Sequence, residues 1–244
     1  MRSAAYCCFR SIQKAGLFAI LLLPGIVRGD ELYYMLVFGA QRPVSHPKHV
    51  HTFATFVKAI GTGTNLDAYQ TECHTLSWIP ASFRLKALAL HPEAGSVLDL
   101  DATLTWTRCE RLDVSMWGPF QIEKELYDRA VARIAFLQSG GLAYKLLDHR
   151  FRPCEAVDCI HALSDIDQDR GLLETGTACG DRASYLVLLH LKHWIIDPCQ
   201  TQDWILDHVC LGNCRITRRC WEGSRPLRYH DSVCCPTPPP CPAP

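Results

Sequence analysis

Apolar residues follow two different spacings along the chain, and each spacing predicts a different kind of element. The run Leu32 to Phe38, LYYMLVF, is apolar on both faces and rich in β-forming residues, which is typical of a buried strand. The segments His51 to Val57 and Tyr69 to Trp78 alternate between two faces and are separated by glycines. We therefore predict two neighbouring antiparallel strands there, and a further strand over Val114 to Phe120.

Helical spacing dominates the second half of the sequence. An amphipathic pattern runs from about Ile122 to Gln138 and ends before two glycines. A second helix is predicted to begin at Asp158, a good N-cap residue, and a last one over Asp181 to about His193. The segment Leu98 to Cys109 fits either a strand or a short helix. The predicted fold class is α+β, with an antiparallel sheet of about four to six strands packed against helices.

The two ends of the chain differ from its middle. Residues 1–29 carry basic residues followed by the apolar run AGLFAILLLPGIV, which predicts a secretory signal peptide. Residues 30–211 are predicted to form one domain, and residues 212–244 a cysteine- and proline-rich tail. No later stretch approaches the length of a membrane span, so we expect a secreted or periplasmic protein without a span in the mature chain.

Charge and cysteine content narrow the possible functions. The 25 basic and 25 acidic residues cancel and are spread along the chain, which argues against nucleic acid as a partner. Twelve of the 14 cysteines follow the signal segment, and six of these lie in the last 35 residues. In an oxidising compartment this predicts several disulfides, whose pairing the sequence does not define.

Cys159 is the candidate nucleophile, because it follows the predicted N-cap Asp158 directly. Free N–H groups at a helix N-terminus favour an anion and lower the pKa of a thiol there. The alternative is a structural cysteine, buried or bonded to a neighbour such as Cys154. If Cys159 is a free thiol, an odd number of cysteines remains, and one more must be unpaired.

A thiol nucleophile needs a base and a group that orients the base. His51 opens the second predicted strand, and His74 lies on the strand predicted beside it. We therefore expect the two imidazoles to lie side by side, facing the helix that carries Cys159. Histidines at 190, 193 and 208 are alternative bases, whereas His161 is predicted to be a packing or capping residue.

The segment Gly141-Leu142-Ala143-Tyr144, followed by a loop and then by Asp158-Cys159, resembles the papain-like cell-wall peptidase and amidase superfamily. The histidine strands precede the cysteine helix, which is the order of the circularly permuted branch that includes the lecithin:retinol acyltransferase-like proteins. The resemblance covers about residues 32–196. It implies Cys159 as nucleophile, His51 as base, His74 as orienting residue and Tyr144 as an oxyanion donor.

The resemblance implies a thiol hydrolase or acyl transferase that cleaves an amide or ester bond of a cell-wall peptide or a lipid. The sequence departs from the family pattern at Ile160-His161, where small residues are usual, and at Glu72, which competes with His74 for its role. A non-catalytic secreted module, with structural cysteines and a tail that binds a partner, is the alternative function.

Two metal-binding patterns are incomplete, and we predict no metal or cofactor. The histidines of the segment HPKHVH, His46, His49 and His51, have no carboxylate or cysteine at ligand spacing. The run of Asp165, Asp167 and Asp169 resembles the start of a calcium loop, but it lacks the glycine and the glutamate that such a loop requires.

Overall fold

The computed structural model describes residues 29–42, 50–86, 89–148, 155–173, 175, 179–209, 211 and 215–219. Eight strands occur in this part of the chain: β1 Asp30–Gln41, β2 His51–Gly61, β3 Gln70–Pro80, β4 Glu93–Leu98, β5 Asp113–Gln121, β6 Ala143–Tyr144, β7 Ala156–Val157 and β8 Ile216–Arg219. It also contains four α-helices: α1 Leu100–Cys109, α2 Lys124–Gln138, α3 Cys159–Ser164 and α4 Gly180–Leu191. Short 3₁₀ turns lie at Leu66–Ala68, Gln168–Arg170, Lys192–Trp194 and Asp203–Asp207.

The strands form one sheet in the order β7-β6-β4-β3-β2-β1-β5-β8. All pairs between neighbouring strands are antiparallel except the two at the edges of the sheet. There β7 pairs in parallel with β6, and β8 pairs in parallel with β5. Three long strands, β1, β2 and β3, lie at the centre and pair along most of their length. The predicted α+β class with an antiparallel central sheet is confirmed, but the sheet has eight strands in the described residues, whereas about four to six were predicted.

Both faces of the sheet are covered, which explains why β1 is apolar throughout. Met35 and Val37 of β1 pack into a core that includes residues of α2, α3 and α4. Leu36 and Phe38 point to the opposite face and pack with residues of α1 and the turn Asp203–Asp207. Consecutive residues of any central strand therefore enter different cores, because side chains alternate along a strand.

Most of the predicted elements are confirmed. The segment Leu98 to Cys109, for which both a strand and a short helix were possible, contains the helix α1. Asp99 accepts a 2.8 Å hydrogen bond from the backbone N–H of Ala102, so α1 begins directly after it. The strand Glu93–Leu98 was not predicted, since EAGSVL lacks a clear alternation of apolar and polar residues.

The C-terminal boundary differs from the prediction. The strand Ile216–Arg219 pairs with β5, and the buried Arg218 forms an ion pair with Asp203. These residues therefore belong to the sheet domain, although residues 212–244 were assigned to a tail. Residues 1–28 of the predicted signal segment 1–29, and residues 220–244, lie outside the described residues. None of the helices in the described ranges is long and apolar enough to cross a membrane.

Helix α4 approaches the sheet closely through two glycines. A Cβ on Gly180 would lie closer than 3.0 Å to the carbonyl oxygen of Ala40, and one on Gly39 would meet the backbone of Gly180. Backbone atoms cannot move aside as a flexible side chain can. Glycine at both positions therefore sets the distance between the helix and the strand.

We predict that Gly180→Ala lowers the free energy of unfolding by about 2 kcal/mol, because the added methyl group separates α4 from β1. Urea denaturation measures the change. Ala135→Ser, on the exposed side of α2, should change stability by no more than about 0.5 kcal/mol. Equal stability of the Gly180 variant and the wild type would contradict the close approach.

Candidate functional site

The candidate site is built around the start of α3. Strands β6 and β7 pair in parallel and lead the chain into this helix at the sheet edge. Asp158 caps the helix: one of its carboxylate oxygens accepts hydrogen bonds of 2.8 Å from the N–H groups of Ile160 and His161. Trp78 of β3 donates its indole N–H to the carbonyl of Val157 at 3.2 Å, which fixes the chain just before the cap. The predicted N-cap is confirmed.

Cys159 is a free thiol, but it is buried. Its exposed fraction is 3%, and burial is the main cause that raises the pKa of the thiol, followed by the negative charge of Asp158. The backbone N–H groups of Thr52 and of Cys159 itself act in the opposite direction and do not compensate. The lowered pKa expected at a helix N-terminus is therefore wrong for this cysteine, because desolvation outweighs the effect of the helix end.

His51 lies on the other face of the sheet. Its ring stacks on Phe53 and meets the edge of Trp106, both in the core opposite to that of Cys159. It is fully buried and shares a 2.9 Å hydrogen bond with Ser77 Oγ, and burial lowers its pKa to about 3. The residue of β2 that faces α3 is Thr52. The structure thus does not bring His51 to the thiol.

His74 lies on the same face as Cys159 but farther along the sheet. It pairs in register with Phe56, four residues beyond Thr52, which corresponds to about 13 Å along the strand. Its ring hydrogen-bonds Glu72 at 2.8 Å and packs against Tyr127. The two imidazoles do not lie side by side, because His51 and His74 point to opposite faces. The side chain that hydrogen-bonds His74 is that of Glu72, not that of His51.

Tyr144 is the predicted site residue that lies in the same core as Cys159 and within electrostatic range of it. It is 3% exposed, and its hydroxyl has no hydrogen-bond partner among the described residues. Burial, followed by the charges of Cys159, Asp158 and Asp148, raises its pKa well above the usual value. A neutral phenol, whose O–H has no partner among the described residues, therefore lies in the same core as a neutral thiol.

A cluster of Asp148, Asp158 and His161 lies at the same helix end and was not predicted. His161 Nδ1 is 2.5 Å from Asp148 Oδ2 and 3.6 Å from Asp158 Oδ1. Burial opposes the charge of His161, but the hydrogen bond to Asp148 and the two carboxylate charges prevail and raise its pKa to about 9. Burial and the charge of Asp148 also raise the pKa of Asp158. The i,i+3 spacing of Asp158 and His161 is the signal in the sequence that points to this cluster.

A groove lies between α2 and the segment that follows α3; we call it the α2 groove. It consists of two adjoining cavities of about 480 and 570 Å³. Phe136 and Leu172 form exposed apolar walls, with exposed fractions of 47% and 56%. Arg133 and Asp165 form a 2.9 Å ion pair between them, with little of either side chain exposed. The groove therefore combines apolar walls with a charged floor.

Each aspartate of the run Asp165, Asp167 and Asp169 lies close to a basic side chain. Asp165 pairs with Arg133, Asp169 pairs with Arg129, and the fully buried Asp167 lies 3.0 Å from His193 Nε2. Of the histidines in the segment HPKHVH, His46 and His49 lie outside the described residues.

Comparison of the chain with protein-family models, with curated proteins and with solved structures finds no match. The resemblance to the permuted papain-like branch therefore stays a prediction.

We predict that iodoacetamide labels Cys109 long before Cys159 in the folded protein at neutral pH. Cys109 is an exposed free thiol, whereas Cys159 is buried and has a raised pKa. Peptide mapping by mass spectrometry without reductant gives the order of labelling, and denaturant should make both thiols accessible. Labelling of Cys159 ahead of Cys109 would reveal a reactive thiolate and contradict this account.

His51 is expected to make the fold sensitive to acid. Its pKa is about 3 in the folded state and about 6.5 in the unfolded chain, so below pH 6.5 only the unfolded chain takes up the proton. The free energy of unfolding should then fall by up to about 1.4 kcal/mol per pH unit between pH 6.5 and pH 3.

The measurement is urea unfolding of the wild type and of His51→Gln at several pH values in this range. The variant should have a shallower pH slope, because it lacks the titrating ring. His91→Gln, at an exposed position, should keep the wild-type slope. Equal slopes for the wild type and His51→Gln would mean that His51 is not held neutral.

Proposed function

We propose that the chain is a secreted, non-catalytic binding module that holds an extended peptide segment in the α2 groove. The observation that carries the proposal is the groove itself, with its exposed apolar walls beside a largely buried ion pair. The groove lies on the outer side of α2 and of the segment after α3, and its lining does not include Cys159.

The apolar walls supply the affinity in this proposal. Phe136 and Leu172 are large side chains left half exposed at the same cavity, and covering such surface stabilises a complex by roughly 25 cal/mol per Å². The guanidinium of Arg133 lies over the Phe136 ring at 5.9 Å, which keeps the aromatic wall next to the charge. An apolar or aromatic side chain of a peptide fits between these walls.

The floor of the groove favours a peptide over a lipid chain. Arg133 donates to Asp165 and to the carbonyl of Ala162, while its Nη1 group donates to none of the described residues. Gln168 adds an amide to the lining. A peptide backbone offers carbonyl and N–H groups to these polar atoms, whereas an acyl chain would bury them without partners at a cost of about 1–3 kcal/mol each.

The positions of Cys159 and His51 favour a binding module over a thiol hydrolase. The neutral thiol of Cys159 and the neutral imidazole of His51 lie in separate cores, so the proton transfer that a thiol hydrolase needs has no path between them. In this proposal Cys159 and Tyr144 are structural residues.

A thiol hydrolase of the permuted papain-like kind is the second candidate, because Cys159 is a free thiol at a helix N-terminus in the same core as Tyr144. The iodoacetamide experiment distinguishes the two candidates. Early labelling of Cys159 supports the hydrolase, and late labelling supports the binding module.

The binding proposal is tested by selecting peptides from a displayed random library on the mature protein. We expect peptides with an apolar or aromatic residue, whose affinity falls at least tenfold in Phe136→Asp because the charge occupies the apolar wall. Fluorescence anisotropy with a labelled selected peptide measures the change.

Leu90→Asp is the matched control, since Leu90 is an apolar residue with an exposed fraction of 85% and does not line the groove. It should bind the peptide as the wild type does, and so should Cys159→Ala if the cysteine is structural. Failure to select any peptide, or unchanged binding in Phe136→Asp, would overturn the proposal.

A further inference from the structure

Three side chains at the start of α3 place oxygen and nitrogen donors around one point. Ligand atoms of Asp148, Asp158 and His161 all lie within 4.8 Å of one another. Donors of a tetrahedral zinc ion with bonds of about 2.0–2.1 Å are about 3.3 Å apart. The carboxylate oxygens nearest to His161 Nδ1 lie 2.5 and 3.6 Å from it, and these separations bracket this value, so the three side chains are already grouped at the scale of a coordination shell.

His161 is oriented in the way that proteins orient a ligating histidine. Its Nε2 lies 3.1 Å from the carbonyl oxygen of Leu173, an acceptor only, so Nε2 carries a hydrogen and Nδ1 is the atom turned toward the carboxylates. A hydrogen bond from the outer ring nitrogen to a backbone carbonyl is the usual support for a metal-bound imidazole.

Among the described residues, the cluster carries more negative than positive charge. Two carboxylates face one imidazole, and no lysine or arginine of the described residues forms an ion pair with Asp148 or Asp158. With both carboxylates ionised and His161 protonated, the three side chains together carry one negative charge, and little of their surface is exposed. A divalent ion bound by a neutral imidazole and two carboxylates brings the sum to zero.

The carboxylates have oxygens left for a ligand. Asp158 uses Oδ1 as the helix cap and Asp148 uses Oδ2 to accept from the Asp158 N–H and from His161. Asp148 Oδ1 and Asp158 Oδ2 take part in no hydrogen bond with the described residues. An ion at these oxygens therefore leaves the helix cap intact.

Tyr144 supplies an independent indication. Its hydroxyl is buried, has no hydrogen-bond partner among the described residues, and lies within electrostatic range of both carboxylates. A buried O–H without a partner costs about 1–3 kcal/mol, and a water molecule on a bound ion would give it an acceptor. Three protein ligands leave the fourth coordination position of a tetrahedral zinc ion open for such a water molecule.

We propose that Asp148, Asp158 and His161 form a binding site for one divalent transition-metal ion, with Zn²⁺ as the expected ion. Imidazole nitrogen together with carboxylate oxygen suits zinc and its neighbours better than it suits Mg²⁺ or Ca²⁺, which prefer oxygen ligands alone. The proposal does not depend on the peptide-binding function.

The pair of Asp167 and His193 is an internal comparison. It also joins a buried carboxylate to an imidazole, at 3.0 Å, but Arg129 lies 3.8 Å from the same carboxylate and supplies a positive charge. We expect no metal there. His193→Gln is therefore the matched control for His161→Gln.

The test is isothermal titration of the chelator-treated mature protein with ZnCl₂, together with the absorption spectrum after addition of Co²⁺. We expect one saturable site in the wild type and in His193→Gln, and an affinity at least tenfold lower in His161→Gln and in Asp148→Asn. Circular dichroism shows whether each variant is folded.

The cobalt spectrum identifies the donors, since this chain has many cysteines that also bind zinc. Visible bands of four- or five-coordinate Co²⁺ without an intense thiolate-to-metal band in the near ultraviolet agree with two carboxylates and one imidazole. A thiolate band, binding unchanged in His161→Gln, or no saturable binding to the wild type would overturn the proposal.

Discussion

The alternation of side chains along β2 is the constraint on which the rest of the structure depends. Because both faces of the sheet are buried, each residue of this strand enters one of two separate cores. Thr52 faces α3 and His51 faces α1, although they are adjacent in the sequence. A shift of one residue in the strand would exchange them, and the buried apolar residues of both cores prevent such a shift.

This constraint also determines the chemistry at the start of α3. The helix end packs on the sheet so closely that Cys159 and Tyr144 are almost completely buried, and desolvation then governs their ionisation. A helix N-terminus lowers the pKa of a cysteine only where the thiolate is accessible to water or to a cation. The polar residues that remain near the surface, Asp158 and His161, hold the charge of this region.

The two proposals concern different surfaces of the same helical layer. The α2 groove lies where α2 meets the segment after α3, and its charges are already paired within the protein. The cluster of Asp148, Asp158 and His161 lies at the other end of α3 and has an excess of carboxylates over basic groups among the described residues. Paired charges beside exposed apolar side chains suit a neutral peptide, whereas an excess of carboxylates suits a cation.

The sequence by itself determined the element types over most of the described chain, because apolar spacing in β1, β2, β3, β5, α2 and α4 directly reflects which sides are buried. It also determined the cap at Asp158, since a cap is a contact between near neighbours. It did not reveal β4, whose residues lack alternation, or the place of Arg218 in the sheet.

Only the tertiary structure decided which candidate residues meet. His51, His74 and Cys159 are far apart in the sequence, and the face to which each side chain points depends on strand register and on which helix covers that face. The pKa of Cys159 likewise depends mainly on burial in a core that includes residues of β2 and β3, and less on the helix that carries it. Burial and long-range pairing are properties of the assembled sheet, so a local pattern identifies the reactive residue types but not the site that they form.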